Sequence, residues 1–234
     1  MAQSDSLRKR TDQHKPKNNE SKLQDIKIKN VIDEVQNTLE KKYPKLSFGW
    51  QKKITNEEII STLPPDIPYE EVLDSTFIMP DGGFLFVLLN GKEKYICISE
   101  QKKQGTNDQR IQEGKDRQGL GNAVERIGKN LNGMKVLHYD EDILPFVAFL
   151  QGCDFHSTET IPDRVKTCFE YLPMNKINLY KDRLNRAGSY FMKGHHYQMV
   201  HEREEWSFSQ MYETILSISE QSLEYYITKY GVTY

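Results

Sequence analysis

Apolar residues at Ile28, Val31, Ile32, Val35 and Leu39 recur three and four positions apart, the period of one helical face. The pattern predicts a helix that stops near Tyr43-Pro44, because the residue before a proline avoids the α region. Upstream, residues 1–22 are polar, basic and aperiodic, and read as a flexible basic N-terminal arm ahead of one domain over 23–234. A short segment at Leu46-Ser47-Phe48 and a helix over 56–63 lead into Pro64-Pro65-Asp66-Ile67-Pro68, a stiff connector. The period then changes. Residues 84–89 form an unbroken apolar run and 94–99 a second strand-like run, with Asn90-Gly91 between them. Asn-Gly between two such runs is the strongest short-range hairpin signal, since both residues tolerate positive φ.

Beyond the hairpin, 105–120 is charged, glycine-rich and aperiodic, and reads as a long loop of the kind that is either functional or disordered. A helix is expected from Asn122 towards Asn132, with Gly133 at its C-terminal end. The apolar run 143–150 has the look of a buried central strand, and the partial alternation over 165–171 suggests another. Ser207 followed three residues later by Gln210 is a capping box. It opens a last helix with Phe208, Met211, Tyr212, Ile215 and Leu216 on one side, continuing towards Tyr230. Strands interleaved with helices imply an α/β fold, a central mixed sheet of about five strands flanked by helices.

Composition narrows the classes. At 234 residues the chain can bury one substantial core, and no apolar run approaches the length of a membrane span. Its three cysteines, Cys97, Cys153 and Cys168, are odd in number and lack a CxxC pair, which fits reduced thiols in a cytoplasmic protein. The net charge of −2 conceals a strong polarity. Residues 1–53 carry 13 Lys/Arg against 7 Asp/Glu, and 54–91 carry seven acids and no base. Positive charge returns over 92–135, and 136–234 are acidic. Basic charge gathered into two segments suits phosphate binding better than the total suggests.

Candidate chemistry sits at the open end of the hairpin. With Asn90 and Gly91 as the turn, counting outward sets Asp81 directly opposite Glu100, and Lys102 projects on the same side as Glu100. Two carboxylates at that spacing suit a hard divalent cation such as Mg²⁺. A solvated strand edge is the alternative for the same residues, and a bulge would shift the pairing by one.

Longer matches surround this cluster. Thr11-Asp12-Gln13-His14-Lys15, Tyr43-Pro44-Lys45-Leu46-Ser47-Phe48, Pro80-Asp81-Gly82-Gly83 and Glu100-Gln101-Lys102-Lys103-Gln104-Gly105 occur in order. Gly121-Asn122-Ala123-Val124-Glu125-Arg126, Lys129-Asn130, Arg183-Leu184-Asn185-Arg186 and Glu205-Trp206 follow. Together they resemble the EcoRI-type restriction endonucleases of the Pro-Asp…Glu-x-Lys nuclease superfamily, from about residue 11 to the end. The chain departs from that pattern between Arg126 and Arg183, near 194–204, and in having glutamine between Glu100 and Lys102.

The resemblance implies a restriction-endonuclease-like fold and Mg²⁺-dependent hydrolysis of double-stranded DNA leaving 5′-phosphates. It assigns the metal to Asp81, Glu100 and the backbone carbonyl of Gln101, and orientation or deprotonation of water to Lys102. It implies recognition of an inner AATT by the segment 119–130, through Gly119, Gly121, Asn122, Ala123, Glu125 and Arg126. Asparagine pairs with adenine, arginine donates to purine N7, and glycines permit close approach. Arg183 and Arg186 would read the outer base pair, giving GAATTC, although Lys181-Asp182-Arg183-Leu184 can be set against the same family block. Gln104 would support that surface, and Lys103 and Lys129 would touch phosphates.

A palindromic site implies a homodimer, with an interface near the recognition helix and the 143–150 strand. A cognate DNA methyltransferase is implied as a genetic partner, in a bacterial or archaeal cytoplasm. A repair or recombination nuclease sharing the same hairpin, or an inactive sequence-specific DNA-binding protein, are the competing readings. His195-His196 with His201 fit no common metal spacing, and Cys153-Asp154-Phe155-His156 lacks the setting of a cysteine nucleophile.

Overall fold

A computed structural model describes residues 15–66, 76–104, 113–114, 122–157, 159–170, 189–196 and 204–232, with side chains for all of these but 15–22, Asn122 and Glu170. The expected long loop therefore lies outside the described residues, apart from Glu113 and Gly114.

Helix α1 (Lys15–Lys42) begins inside the stretch that reads as an arm and ends, as its proline requires, before Tyr43-Pro44. Its apolar stripe, Ile28 to Leu39, is fully buried. Strands β1 (Ser47–Gln51) and β2 (Ile54–Thr55) follow, then α2 (Asn56–Ile60). Thr55 caps α2: its hydroxyl accepts from Glu58 N at 3.1 Å, while Glu58 accepts from Thr55 N at 2.6 Å. Strand β3 (Phe77–Ile78) pairs with β2 in a small antiparallel ribbon. Strands β4 (Gly83–Leu89) and β5 (Lys92–Lys103) form the expected hairpin, with positive φ at both Asn90 and Gly91. Helix α3 (Asn122–Leu137), β6 (Phe146–Gln151), α4 (Ile161–Glu170), β7 (Ser189–Lys193) and α5 (Phe208–Tyr230) complete the order.

The main sheet has the order β1-β4-β5-β6-β7. β1, β4 and β5 pair antiparallel, whereas β5, β6 and β7 run parallel. This is the mixed five-stranded sheet that the pattern predicted. Helices α1 and α5 share one core with Leu85, Val87, Ile96, Cys97, Val147 and Phe149. On the other face Val124, Ile127 and Leu131 of α3 and Val165 and Phe169 of α4 meet Phe84, Ile98, Phe146, Ala148 and Leu150. β6 alternates between two cores, so it has no solvent face and reads as one apolar run.

Two expectations need correction. The strand expected over 165–171 is a helix as far as Glu170, beyond which the segment lies outside the described residues: Ile161, Val165 and Phe169, four apart, are the buried stripe of α4. Pro162 occupies its first turn, where no N–H is needed. The recognition-segment helix does not end at Gly133 but runs to Leu137. A Cβ at Gly133 would overlap the Ile78 side chain, so the glycine serves close packing over β3 rather than a cap.

Candidate active site

Where the hairpin opens, Pro80-Asp81-Gly82-Gly83 makes a tight turn closed by Gly83 N donating to Pro80 O at 3.0 Å. Gly83 has φ +70°, and a Cβ there would also crowd Gln51 O and the Trp50 ring, so this turn requires glycine. The Trp50 indole N–H donates to Gly82 O at 2.7 Å, and Gly82 N to Ser99 O at 2.9 Å. Asp81 is thereby pinned at the end of β4.

Its expected pairing is wrong by one residue. From the tip, Leu89 faces Lys92 and Phe86 faces Tyr95, but Leu85 faces Cys97 and Gly83 faces Ser99. Ile96 is the extra residue of a β-bulge, and Ile96 and Cys97 both enter the core beneath α1 and α5. Asp81 is therefore not the direct partner of Glu100. Instead it accepts from the backbone N of Gln101 at 3.2 Å. A one-residue shift exchanges the faces of every later side chain. Here it turns Glu100 and Lys102 towards α3.

The three groups nevertheless converge, because Asp81 has left the strand and its carboxylate reaches around the end of the sheet. The Lys102 ammonium lies 2.6 Å from Glu100 Oε1 and 2.8 Å from Asp81 Oδ2. Asp81 N donates to Glu100 Oε2 at 3.0 Å, and Asn130 Nδ2 of α3 donates to the same oxygen at 3.3 Å. Glu100 is only 1 % exposed. Burial, with the negative charge of Asp81, pushes its carboxyl up to about 7 against the opposing pull of Lys102. Burial alone would depress Lys102, but the two carboxylates hold it above its ordinary value.

Among the described residues no group of three or more His, Cys, Asp or Glu side chains could hold a metal ion. Asp81 and Glu100 offer two carboxylates with an ammonium between them, so this donor set could accommodate a cation only with further oxygens from backbone, substrate or water. Beside Asp81, on the α1 face, lies a cavity of about 370 Å³ lined by Asp25, Lys29, Asn30, Trp50, Lys52 and Met79. Burial and the nearby Asp81 charge raise the Asp25 carboxyl.

The expected recognition residues are only partly in view. Asn122 is the first residue of α3, Ala123 is half-buried, and Glu125, Arg126 and Lys129 are exposed along that helix. Gln104 closes β5: its backbone N donates to Gln151 O at 2.9 Å, and its side-chain Oε1 is buried without a hydrogen bond among the described residues. Lys103 pairs with Glu205 at 3.0 Å. Gly119, Gly121, Arg183 and Arg186 lie outside the described residues. Of the discounted histidines, His195 is buried and His196 packs edge-on against His156.

Asn130, which lies within the family match, is the residue to which the sequence assigned no role. Its signal was its place four residues after Arg126, on the adjoining helical position.

A mixed sheet with helices on both faces, and a hairpin whose long strand and opening turn bring two acids and a lysine together, defines an α/β protein of the restriction-endonuclease-like fold. The family model for restriction endonuclease EcoRI matches residues 14–168. The chain belongs to the EcoRI restriction endonuclease family, and its class is that of the type II site-specific deoxyribonucleases. It is 27 % identical to the type II restriction enzyme EcoRI of Escherichia coli, over 87 % of this chain and 85 % of that protein. Identity to the type II restriction enzyme RsrI of Cereibacter sphaeroides is also 27 %, over 85 % of this chain and 83 % of that one. No helix among the described residues is long and apolar enough to cross a membrane.

Proposed function

We propose that the protein makes Mg²⁺-dependent double-strand cuts at a palindromic DNA site with an AATT core, GAATTC in the first instance, leaving 5′-phosphates. The observation that carries this reading is the Lys102 ammonium held between Asp81 and a buried Glu100. Two acids and one base leave a net negative pocket, poised for a cation and inhospitable to DNA without one.

In this reading Asp81, Glu100 and the Gln101 carbonyl hold Mg²⁺. When bound, the ion offsets charge on the phosphoryl oxygens and makes a nearby water more acidic. Lys102, released from one or both carboxylates, orients the attacking water and donates to the developing negative charge. Attack at phosphorus with loss of the 3′ oxygen leaves a 5′-phosphate and a 3′-hydroxyl. Asn122, Ala123, Glu125 and Arg126 on α3 read the inner bases with Gly119 and Gly121, and Arg183 and Arg186 read the outer pair, supported by Gln104. Lys129 contacts phosphate, giving affinity that falls with salt.

A two-fold site calls for a homodimer in which each subunit cuts one strand. The setting is the cytoplasm of a bacterium or archaeon, beside a methyltransferase that protects the host DNA.

Digestion of a plasmid of known sequence with Mg²⁺ tests this, with the fragment ends sequenced. Discrete fragments ending at AATT-centred sites are expected. Random nicks, or cuts placed by DNA structure, would replace this reading with a repair or recombination nuclease. Intact plasmid with tight site-specific binding would replace it with an inactive DNA-binding protein.

A further inference from the structure

Among the described residues, helix α3 is joined to the Asp81–Glu100–Lys102 cluster by one polar contact of its own. Asn130 Nδ2 donates to Glu100 Oε2 at 3.3 Å. The other donors to Glu100, Asp81 N and Lys102 Nζ, come from the hairpin and its turn. Asn130 is half-buried, one helical turn beyond the exposed Arg126 and two beyond the start of α3. Between them the helix is anchored by Val124, Ile127 and Leu131 in the core shared with Phe84 and Ile98 of the hairpin. A packed helix moves as a unit, so displacement at its N-terminal end is felt at Asn130.

The geometry points to Asn130 as a positioning residue through which α3 sets the orientation of Glu100. The inference rests on the reading of α3 as the DNA-recognition helix and of Glu100 as a metal ligand. An ionised Glu100 accepts hydrogen bonds only, and the amide fixes one of its two oxygens without adding charge. The other oxygen, Oε1, faces Lys102. When Lys102 gives way to a cation, Asn130 and Asp81 N still hold the carboxylate in place. A carboxylate lacking the amide can rotate, and it meets the cation with an ordering cost that the native side chain has already met. Because Asn130 shares a helix with the residues expected to read bases, the carboxylate is best placed when those residues are seated. The device would make cleavage depend on the correct sequence, beyond what binding supplies.

The test is Asn130→Leu, close in shape but without a donor, with Asn130→Ala as the second variant should the first fail to fold. Calcium titration of the DNA-free protein, followed by calorimetry, reads the cation site without catalysis. The half-saturating Ca²⁺ concentration is expected to rise roughly three- to tenfold in the variant, since a hydrogen bond to a charged group is lost. In Mg²⁺, kcat on the site found by plasmid digestion should fall roughly 10–100-fold with KM unchanged. On a site altered at one base the fall should be smaller, narrowing discrimination. A folded variant with the wild-type Ca²⁺ midpoint, or with equal losses on both sites, overturns the assignment. If the wild-type protein yields no site-specific fragments, the nuclease reading fails instead, and the calcium titration still reports on the Asn130–Glu100 link.

Discussion

Among the described residues two buried acid–lysine clusters lie one towards each end of β5, built on opposite charge counts. Near the tip, Glu141 is approached by Lys94 at 2.7 Å and Lys229 at 2.9 Å. Tyr230 and Tyr225 donate to it at 2.6 and 3.3 Å. At the other end one ammonium, Lys102, serves two carboxylates. The consequences diverge. Burial would raise Glu141, but donors from Lys94, Tyr230 and Lys229 hold it below its ordinary value. Glu100, more deeply buried and short of positive charge, is pushed up to about 7. The first cluster is satisfied within the chain and ties α5 to the hairpin. The second leaves one carboxylate in excess of its ammonium, and carboxyls so strongly perturbed by burial and a like charge cluster at functional sites.

The largest expected break in this comparison comes from Asp81→Ala. Cleavage should fall by on the order of 10⁴-fold or more, as for other catalytic groups that act as a unit. The melting temperature should stay within about 4 °C, the shift that roughly 1 kcal/mol brings, because Lys102 and Glu100 then form a balanced pair. Plasmid cleavage and calorimetric melting on one preparation check both halves. The converse variant, Glu141→Gln, leaves two lysines without their carboxylate and should lower stability by roughly 1–3 kcal/mol in urea unfolding. Its cleavage rate in saturating DNA and cation should remain that of wild type. A stability loss in Asp81→Ala exceeding that in Glu141→Gln would mean the catalytic cluster is structural after all.

How much of this contrast the sequence declared depends on the residues. The hairpin tip was plain, because Asn90 and Gly91 are the residues that a two-residue turn with positive φ demands. The bulge was not. In Tyr95-Ile96-Cys97-Ile98 every residue is acceptable in a buried strand, so nothing local marks Ile96 as the extra one. The expected acid pair was assembled through the wrong register, and the acids still meet because the Pro80–Gly83 turn bends Asp81 round the sheet end. α4 was misread because Val165 to Phe169 spans one helical turn, too short a stretch to separate a period of two from one near four. The Glu141 cluster was invisible, since Lys94, Glu141 and Lys229 lie far apart in the chain and only the fold joins them.

A subtler break exploits the ammonium itself. If Lys102 stands where a cation is to bind, Lys102→Met removes a competitor as well as a catalyst. Calcium affinity of the DNA-free protein should then rise, by roughly three- to tenfold, while cleavage is lost. Calorimetric titration checks the first and plasmid digestion the second. The same substitution at Lys94 has no such effect to give, because Glu141 keeps Lys229 and Tyr230. Unchanged or weakened calcium binding in Lys102→Met would mean that the ammonium helps to organise the carboxylates rather than occupying their place.

The smallest effect concerns acid. Glu141 has a folded-state carboxyl below its unfolded value, so the folded protein binds that proton more weakly than the unfolded chain. Its stabilisation is then full above the ordinary glutamate value of about 4.3 and is lost as the pH falls through the lower folded value. In Glu141→Gln that dependence is absent. The stability gap between wild type and variant, measured by urea unfolding at a series of pH values, should therefore be constant from about pH 7 down to about pH 5 and narrow below that. A gap that instead widened in acid would show Glu141 to be held in its protonated form, and the two clusters to be alike in the one respect that most separates them.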